Sequence, residues 1–125
     1  MNEETANKIL IVEDENLMLE ALKEQLEREG FIVSAAKNGN DGLAIALEQK
    51  PDLILLDIIM PKMDGLEMLK HLRENDWGRE VEVLLLTNLN TAAKVAEAVE
   101  IGVHDYLIKS DWTLSGIVDK IKEKL

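Results

Sequence analysis

Five polar side chains stand at the carboxyl ends of otherwise apolar segments: Glu13 and Asp14 after Ile9–Val12, Asp57 after Leu53–Leu56, Thr87 after Val83–Leu86, and Lys109 after Tyr106–Ile108. In a sheet where those segments lie side by side, all five meet at one rim. Carboxylates gathered there repel and raise one another's pKa unless a cation intervenes, and an all-oxygen donor set suits Mg²⁺, with Mn²⁺ as a substitute. A cation so held would bridge the acids to a phosphoryl oxygen while one carboxylate oxygen attacks phosphorus in line. Asp57 is the candidate nucleophile, because it ends the central apolar segment and precedes a loop with Pro61 and Gly65 that can curve around a ligand. Glu13 and Asp14 are the candidate metal ligands. Lys109 offers a compact positive charge to phosphoryl oxygens, and Thr87 a hydroxyl donor. Taken singly, each also reads as a helix cap, a turn donor or a solvated charge, and their convergence is what gives them weight. Tyr106 falls near the same rim, where an ordinary half-buried aromatic is the competing reading.

The elements that must position these residues follow from hydrophobic spacing. Ile9–Val12, Leu53–Leu56, Val83–Leu86 and Tyr106–Ile108 are short apolar runs of the kind buried on both faces of a sheet, with Phe31–Ala35 a fifth, more exposed candidate. Between them the period changes to that of helices. The first is predicted over about Asn16–Glu29, with Leu19, Leu22 and Leu26 inward and Gly30 ending it. The second runs over about Asp41–Gln49, with Leu43, Ala46 and Leu47 on one face before Pro51, and the third over about Leu66–Glu74, with Leu66, Leu69 and Leu72 inward. A weakly hydrophobic fourth covers about Ala92–Glu100, using Ala92, Val95, Ala96 and Val99 before Gly102. The last, about Thr113–Lys124, has the clearest register in Leu114, Ile117, Val118, Ile121 and Leu125. Five β–α units in one chain predict an α/β three-layer sandwich around a parallel sheet, because right-handed crossovers place helices on both sides of the strands.

Composition narrows the partners. A chain of 125 residues is sized for one domain. With 46% hydrophobic but only 3% aromatic residues, its core must be aliphatic. A formal net charge of −11 disfavours direct contact with a phosphate backbone or an anionic membrane surface. The absence of cysteine excludes disulfides, thiolate nucleophiles and thiolate metal ligands. Met1–Asn7 has no basic apolar lead, and no apolar run approaches a membrane span, so a cytoplasmic protein without membrane insertion is expected. Gly39 and Gly42 do not form a GxGxxG fingerprint, and no GxxxxGK[ST] loop is present. His71 and His104 lack a ligand cluster and read as surface or packing residues, and Trp112 as helix-start packing or interface material.

The runs ILIVEDE at Ile9–Glu15, LILLDIIMPKMDGLEML at Leu53–Leu69, LLLTN at Leu84–Asn88 and HDYLIKS at His104–Ser110 resemble the CheY-like receiver domains of two-component response regulators, over nearly the whole chain. The resemblance implies a flavodoxin-like (βα)5 fold with strand order 2-1-3-4-5, and one receiver domain over residues 1–125 with an ordered core of about 8–124. It implies that Asp57 accepts a phosphoryl group from a histidine kinase or phosphotransfer protein. Glu13, Asp14, Asp57 and the backbone carbonyl of Ile59 would bind Mg²⁺. Lys109 and Thr87 would assist transfer, and Thr87 and Tyr106 would switch a surface of helix four, strand five and helix five toward a downstream protein or separate output domain. Such a domain is not a metabolic enzyme, although it assists its own phosphorylation and dephosphorylation. Met60, Pro61, Asp64 and Gly65 match the family loop, with Asp64 shaping or capping rather than ligating.

One departure stands out. The family usually has proline after the lysine, commonly through a cis bond, where this chain has Ser110. A non-proline cis bond costs about 2.5–4 kcal/mol, so a trans Lys109–Ser110 bond is predicted, with Ser110 or Asp111 capping the last helix. The change also raises an alternative, a constitutive protein-interaction receiver not switched by phosphorylation. A small hydrolase using Asp57 covalently is a third class, but no second acid is positioned as its general acid.

Overall fold

The computed structural model describes residues 7–58, 63–87, 92–103 and 105–125. Five strands, β1 (Lys8–Val12), β2 (Ile32–Ala36), β3 (Leu53–Asp57), β4 (Glu82–Thr87) and β5 (Asp105–Ile108), alternate with α1 (Asn16–Arg28), α2 (Gly39–Gln49), α3 (Gly65–Glu74), α4 (Ala92–Glu100) and α5 (Leu114–Lys124). All strand pairs are parallel, and the sheet order is β2-β1-β3-β4-β5, the expected flavodoxin-like arrangement.

The period-two geometry of the strands divides the core. Leu10, Val12, Ile54, Leu56, Val83 and Leu85 pack with Ala46, Met68, Leu69, Leu72 and Ala98 of α2, α3 and α4. Their alternates Ile9, Ile11, Leu53, Leu55, Leu84 and Leu86 pack with Leu19, Leu22 and Leu26 of α1 and with Ile117, Val118 and Ile121 of α5. The central strand β3 is buried at every position, which is why it reads as an uninterrupted apolar run. Edge strand β2 is partly open, as its mixed sequence predicts.

Two helical faces differ from expectation. In α4, Ala98 is fully buried while Val99 is 53% exposed, and Ala96 is exposed as well. A short helix of mostly Ala and Val offers two nearly equivalent stripes, and packing selects the one through Val95 and Ala98 that continues into Ile101 and Val103. In α2, Leu47 faces outward, and the helix begins two residues early because Asn38 caps it, its side chain accepting from the Asp41 N–H at 2.9 Å. Gly30 and Gly102 follow α1 and α4 at φ +96° and +95°, the left-handed stops expected of them.

Candidate functional site

Parallel strands present their carboxyl ends on one side, so β1, β3, β4 and β5 deliver the polar residues that follow them to a common rim. Asp57, the last residue of β3, is only 3% exposed, and Glu13, directly after β1, is wholly buried, whereas Asp14 is open to solvent. One carboxylate oxygen from each of these three residues lies within 4.8 Å of the others. Three hard oxygen donors so close, two of them buried, form a set that fits a single divalent cation of the Mg²⁺ type.

Lys109 is the counter-charge of this cluster. Its Nζ donates to Asp57 Oδ2 at 3.1 Å and stands 2.8 Å from Glu13 Oε1, with its side chain only 14% exposed. Burial, and then the neighbouring Glu13 charge, push the Asp57 carboxyl from its ordinary 3.8 up to about 7, against the opposing pull of Lys109. Burial works to lower the Lys109 pKa, yet its hydrogen bond to Glu13 and the charges of Asp57 and Glu13 hold it above the ordinary 10.5. The lysine is therefore a fixed cation, and Asp57 is the group whose charge the site controls.

The turn into α3 closes over the same place. Gly65 donates its backbone N–H to Ile58 O at 2.9 Å, and a Cβ on Gly65 would come within 2.2 Å of Asp57 O, so only glycine lets the helix start against the Asp57 backbone. Asp64 caps this helix, accepting from the Glu67 N–H at 2.9 Å, which is the capping role expected of it. Thr87, 2% exposed, ends β4 one residue beyond Leu86, the sheet partner of Asp57. Tyr106 sits opposite Leu85 on edge strand β5 and is 46% exposed, a half-open aromatic beside the rim and outside the carboxylate cluster.

After Lys109 the backbone departs from the family pattern as Ser110 predicts: no cis peptide bond occurs among the described residues, and Lys109–Asp111 form a single 3₁₀ turn. The cap of α5 is neither Ser110 nor Asp111. Thr113 takes that role, accepting from the Gly116 N–H at 3.0 Å, because the 3₁₀ turn carries the chain past the two earlier candidates before the helix begins. Trp112 lies against Gly116 at the start of α5. Ile59, Met60, Pro61, Asn88 and His104 lie outside the described residues.

Two contributors are not apparent from the motifs. Glu15 brings a further carboxylate within 3.7 Å of Lys109 Nζ, and the third acid in the run Glu13–Asp14–Glu15 was its only signal. Arg73 donates to the carbonyls of Gly78 at 2.8 Å, Val81 at 2.9 Å, Ile101 at 3.1 Å and Gly102 at 3.4 Å, tying the end of α3 to the loops after α3 and α4.

Comparison with known proteins gives concordant matches. A family model described as a response regulator receiver domain matches residues 9–122. The transcriptional regulatory protein AfsQ1 of Streptomyces coelicolor is 38% identical over 101 residues, covering 81% of this chain and 44% of its own length. ResD of Bacillus subtilis, also a transcriptional regulatory protein, is 36% identical over 109 residues, covering 87% of this chain and 44% of its own. The chain thus spans less than half the length of these relatives. Among solved structures, the chemotaxis response regulator CheY4 of Vibrio cholerae superposes with a TM-score of 0.87 at 26% identity, covering 97% of this chain and 100% of that one. A CheY-like receiver domain protein of Methanospirillum hungatei gives 0.87 at 28% identity, with 96% and 94% covered.

Proposed function

The chain belongs to the response regulator receiver family, and from that membership we infer that it is a phosphoacceptor switch of a two-component phosphorelay, taking a phosphoryl group on Asp57. The observation that carries this reading is the buried Asp57 carboxylate, held between Lys109 and two further acids at the carboxyl rim of the sheet. Glu13, Asp14 and Asp57 would supply side-chain oxygens for Mg²⁺, with the Ile59 carbonyl as the fourth ligand that the family resemblance implies. When bound, the ion neutralises charge between these acids and the phosphoryl oxygens.

In the proposed transfer, an Asp57 carboxylate oxygen forms the new bond to phosphorus while the bond from phosphorus to the donor nitrogen or oxygen breaks, the leaving group taking the electron pair. Lys109 releases Asp57 and pairs with a phosphoryl oxygen, remaining protonated throughout. Thr87 donates its hydroxyl to another phosphoryl oxygen, which draws the end of β4 toward the site. Tyr106 on the neighbouring strand re-seats in response and alters the surface formed by α4, β5 and α5, shifting an equilibrium between two states. Hydrolysis of the acyl phosphate by water resets the switch.

The donor we propose is a histidine kinase or phosphotransfer protein in the cytoplasm. The recipient of the signal is a downstream protein or a separate output domain, consistent with relatives that are longer and are transcriptional regulatory proteins. With a net charge of −11, residues 1–125, proposed as one receiver domain, leave any DNA contact to that other part. Amide hydrogen exchange before and after treatment with Mg²⁺ and a phosphodonor tests the switch. Changes extending from the pocket into α4 and β5 are expected in the wild type and absent from D57N. Changes confined to residues beside Asp57 would favour a constitutive interaction domain.

A further inference from the structure

Glu15 occupies the cap position of α1 without capping it: no side-chain bond to the helix is made, and its carboxylate lies instead 3.7 Å from Lys109 Nζ. The main chain holds it there. Its N–H donates to Glu13 Oε2 at 3.0 Å, and its carbonyl accepts from the Leu19 N–H at 2.9 Å. The side chain is 64% exposed, while Glu13, also paired with Lys109, is wholly buried. The carboxylate is therefore an exposed charge outside the Glu13, Asp14 and Asp57 trio, on the solvent side of the lysine that contacts Asp57.

We propose that Glu15 is a specificity-determining residue, an electrostatic gate that selects phosphodonors by their charge. The inference rests on the phosphoacceptor reading of Asp57. A fixed negative charge beside Lys109 raises the energy of an anion approaching Asp57 in proportion to that anion's charge. It therefore acts about twice as strongly, on a logarithmic scale, against a dianion as against a monoanion. Small dianionic phosphodonors are held back most, and donors of lower net charge at the phosphorus are preferred.

Two small donors separate charge from chemistry near neutral pH. Acetyl phosphate is a dianion and loses acetate with the electron pair as the Asp57 oxygen–phosphorus bond forms. Phosphoramidate carries its nitrogen protonated, has a net charge of minus one, and loses ammonia in the same displacement. Rates of adduct formation on the full chain, at saturating Mg²⁺ and low ionic strength, are measured for wild type, Glu15→Gln and Glu15→Asp. Glu15→Gln is expected to accelerate acetyl phosphate about tenfold and phosphoramidate only about threefold. Both gains should shrink toward unity in about 0.5 M KCl, where the screening length falls to a few ångströms. Glu15→Asp, which keeps the charge, should retain the wild-type donor ratio. Equal acceleration of both donors, a ratio indifferent to salt, or no change in either rate overturns the gate while leaving Asp57 as acceptor. Failure of any donor to label wild-type Asp57 overturns the gate and the phosphoacceptor reading together.

Discussion

Asp57 is a buried carboxylate whose charged form the fold tolerates at a cost. With its pKa raised to about 7, the folded protein holds a proton there across a pH range in which the unfolded chain, near the ordinary 3.8, does not. The contribution of Asp57 to the stability of the metal-free protein therefore falls as pH rises from about 4 to about 7, with the full penalty present above that. Asp57→Asn removes the penalty. Urea denaturation near pH 8 without divalent ions is expected to show this variant more stable by on the order of 3 kcal/mol, the difference vanishing near pH 4. Lys109→Met acts in the opposite direction, because Glu13 and Asp57 lose the ammonium at 2.8 and 3.1 Å. A loss of roughly 3 kcal/mol near neutral pH is expected in the same assay, much of it recovered when Mg²⁺ is added.

At the scale of elements, two positions fix how α3 meets its surroundings. Gly65→Ala places a methyl 2.2 Å from Asp57 O, where backbone rather than a flexible side chain must yield. It should cost about 1–3 kcal/mol in urea denaturation and slow Asp57 labelling as the start of α3 is pushed away. Arg73→Met removes the donors serving Gly78, Val81, Ile101 and Gly102, and a loss of about 2–3 kcal/mol is expected, with faster amide exchange in the loop after α4. The strands were legible in the sequence because β1, β3 and β4 are continuous apolar runs bounded by polar residues, and Leu19, Leu22 and Leu26 set an unambiguous face on α1. The inward face of α4 was not legible, since Ala and Val at every second or third position give no contrast until the sheet chooses between them. The Arg73 clasp was hidden for a different reason. Its acceptors are main-chain carbonyls, which leave no mark in residue type.

For the whole molecule, the charged site residues were legible as a set only through topology: Glu13, Asp57 and Lys109 are far apart in the chain and adjacent once parallel strands align their ends. Glu15 escaped because whether a third acid turns toward a lysine or toward solvent depends on the start of α1. Joining these elements at one rim makes cation binding and folding a linked equilibrium. Mg²⁺ at about a hundred times its dissociation constant should stabilise the wild type by about 2.7 kcal/mol, and Asp14→Asn should reduce that gain without disturbing the buried core. The central claim, however, is covalent. Its most direct measurement is the intact mass of the folded chain after incubation with Mg²⁺ and acetyl phosphate, beside D57N and a sample with the metal chelated. Wild type is expected to gain the mass of one phosphoryl group, labile to hydroxylamine, with no gain in D57N and little without Mg²⁺. An unchanged wild-type mass, or an equal gain in D57N, would contradict the account.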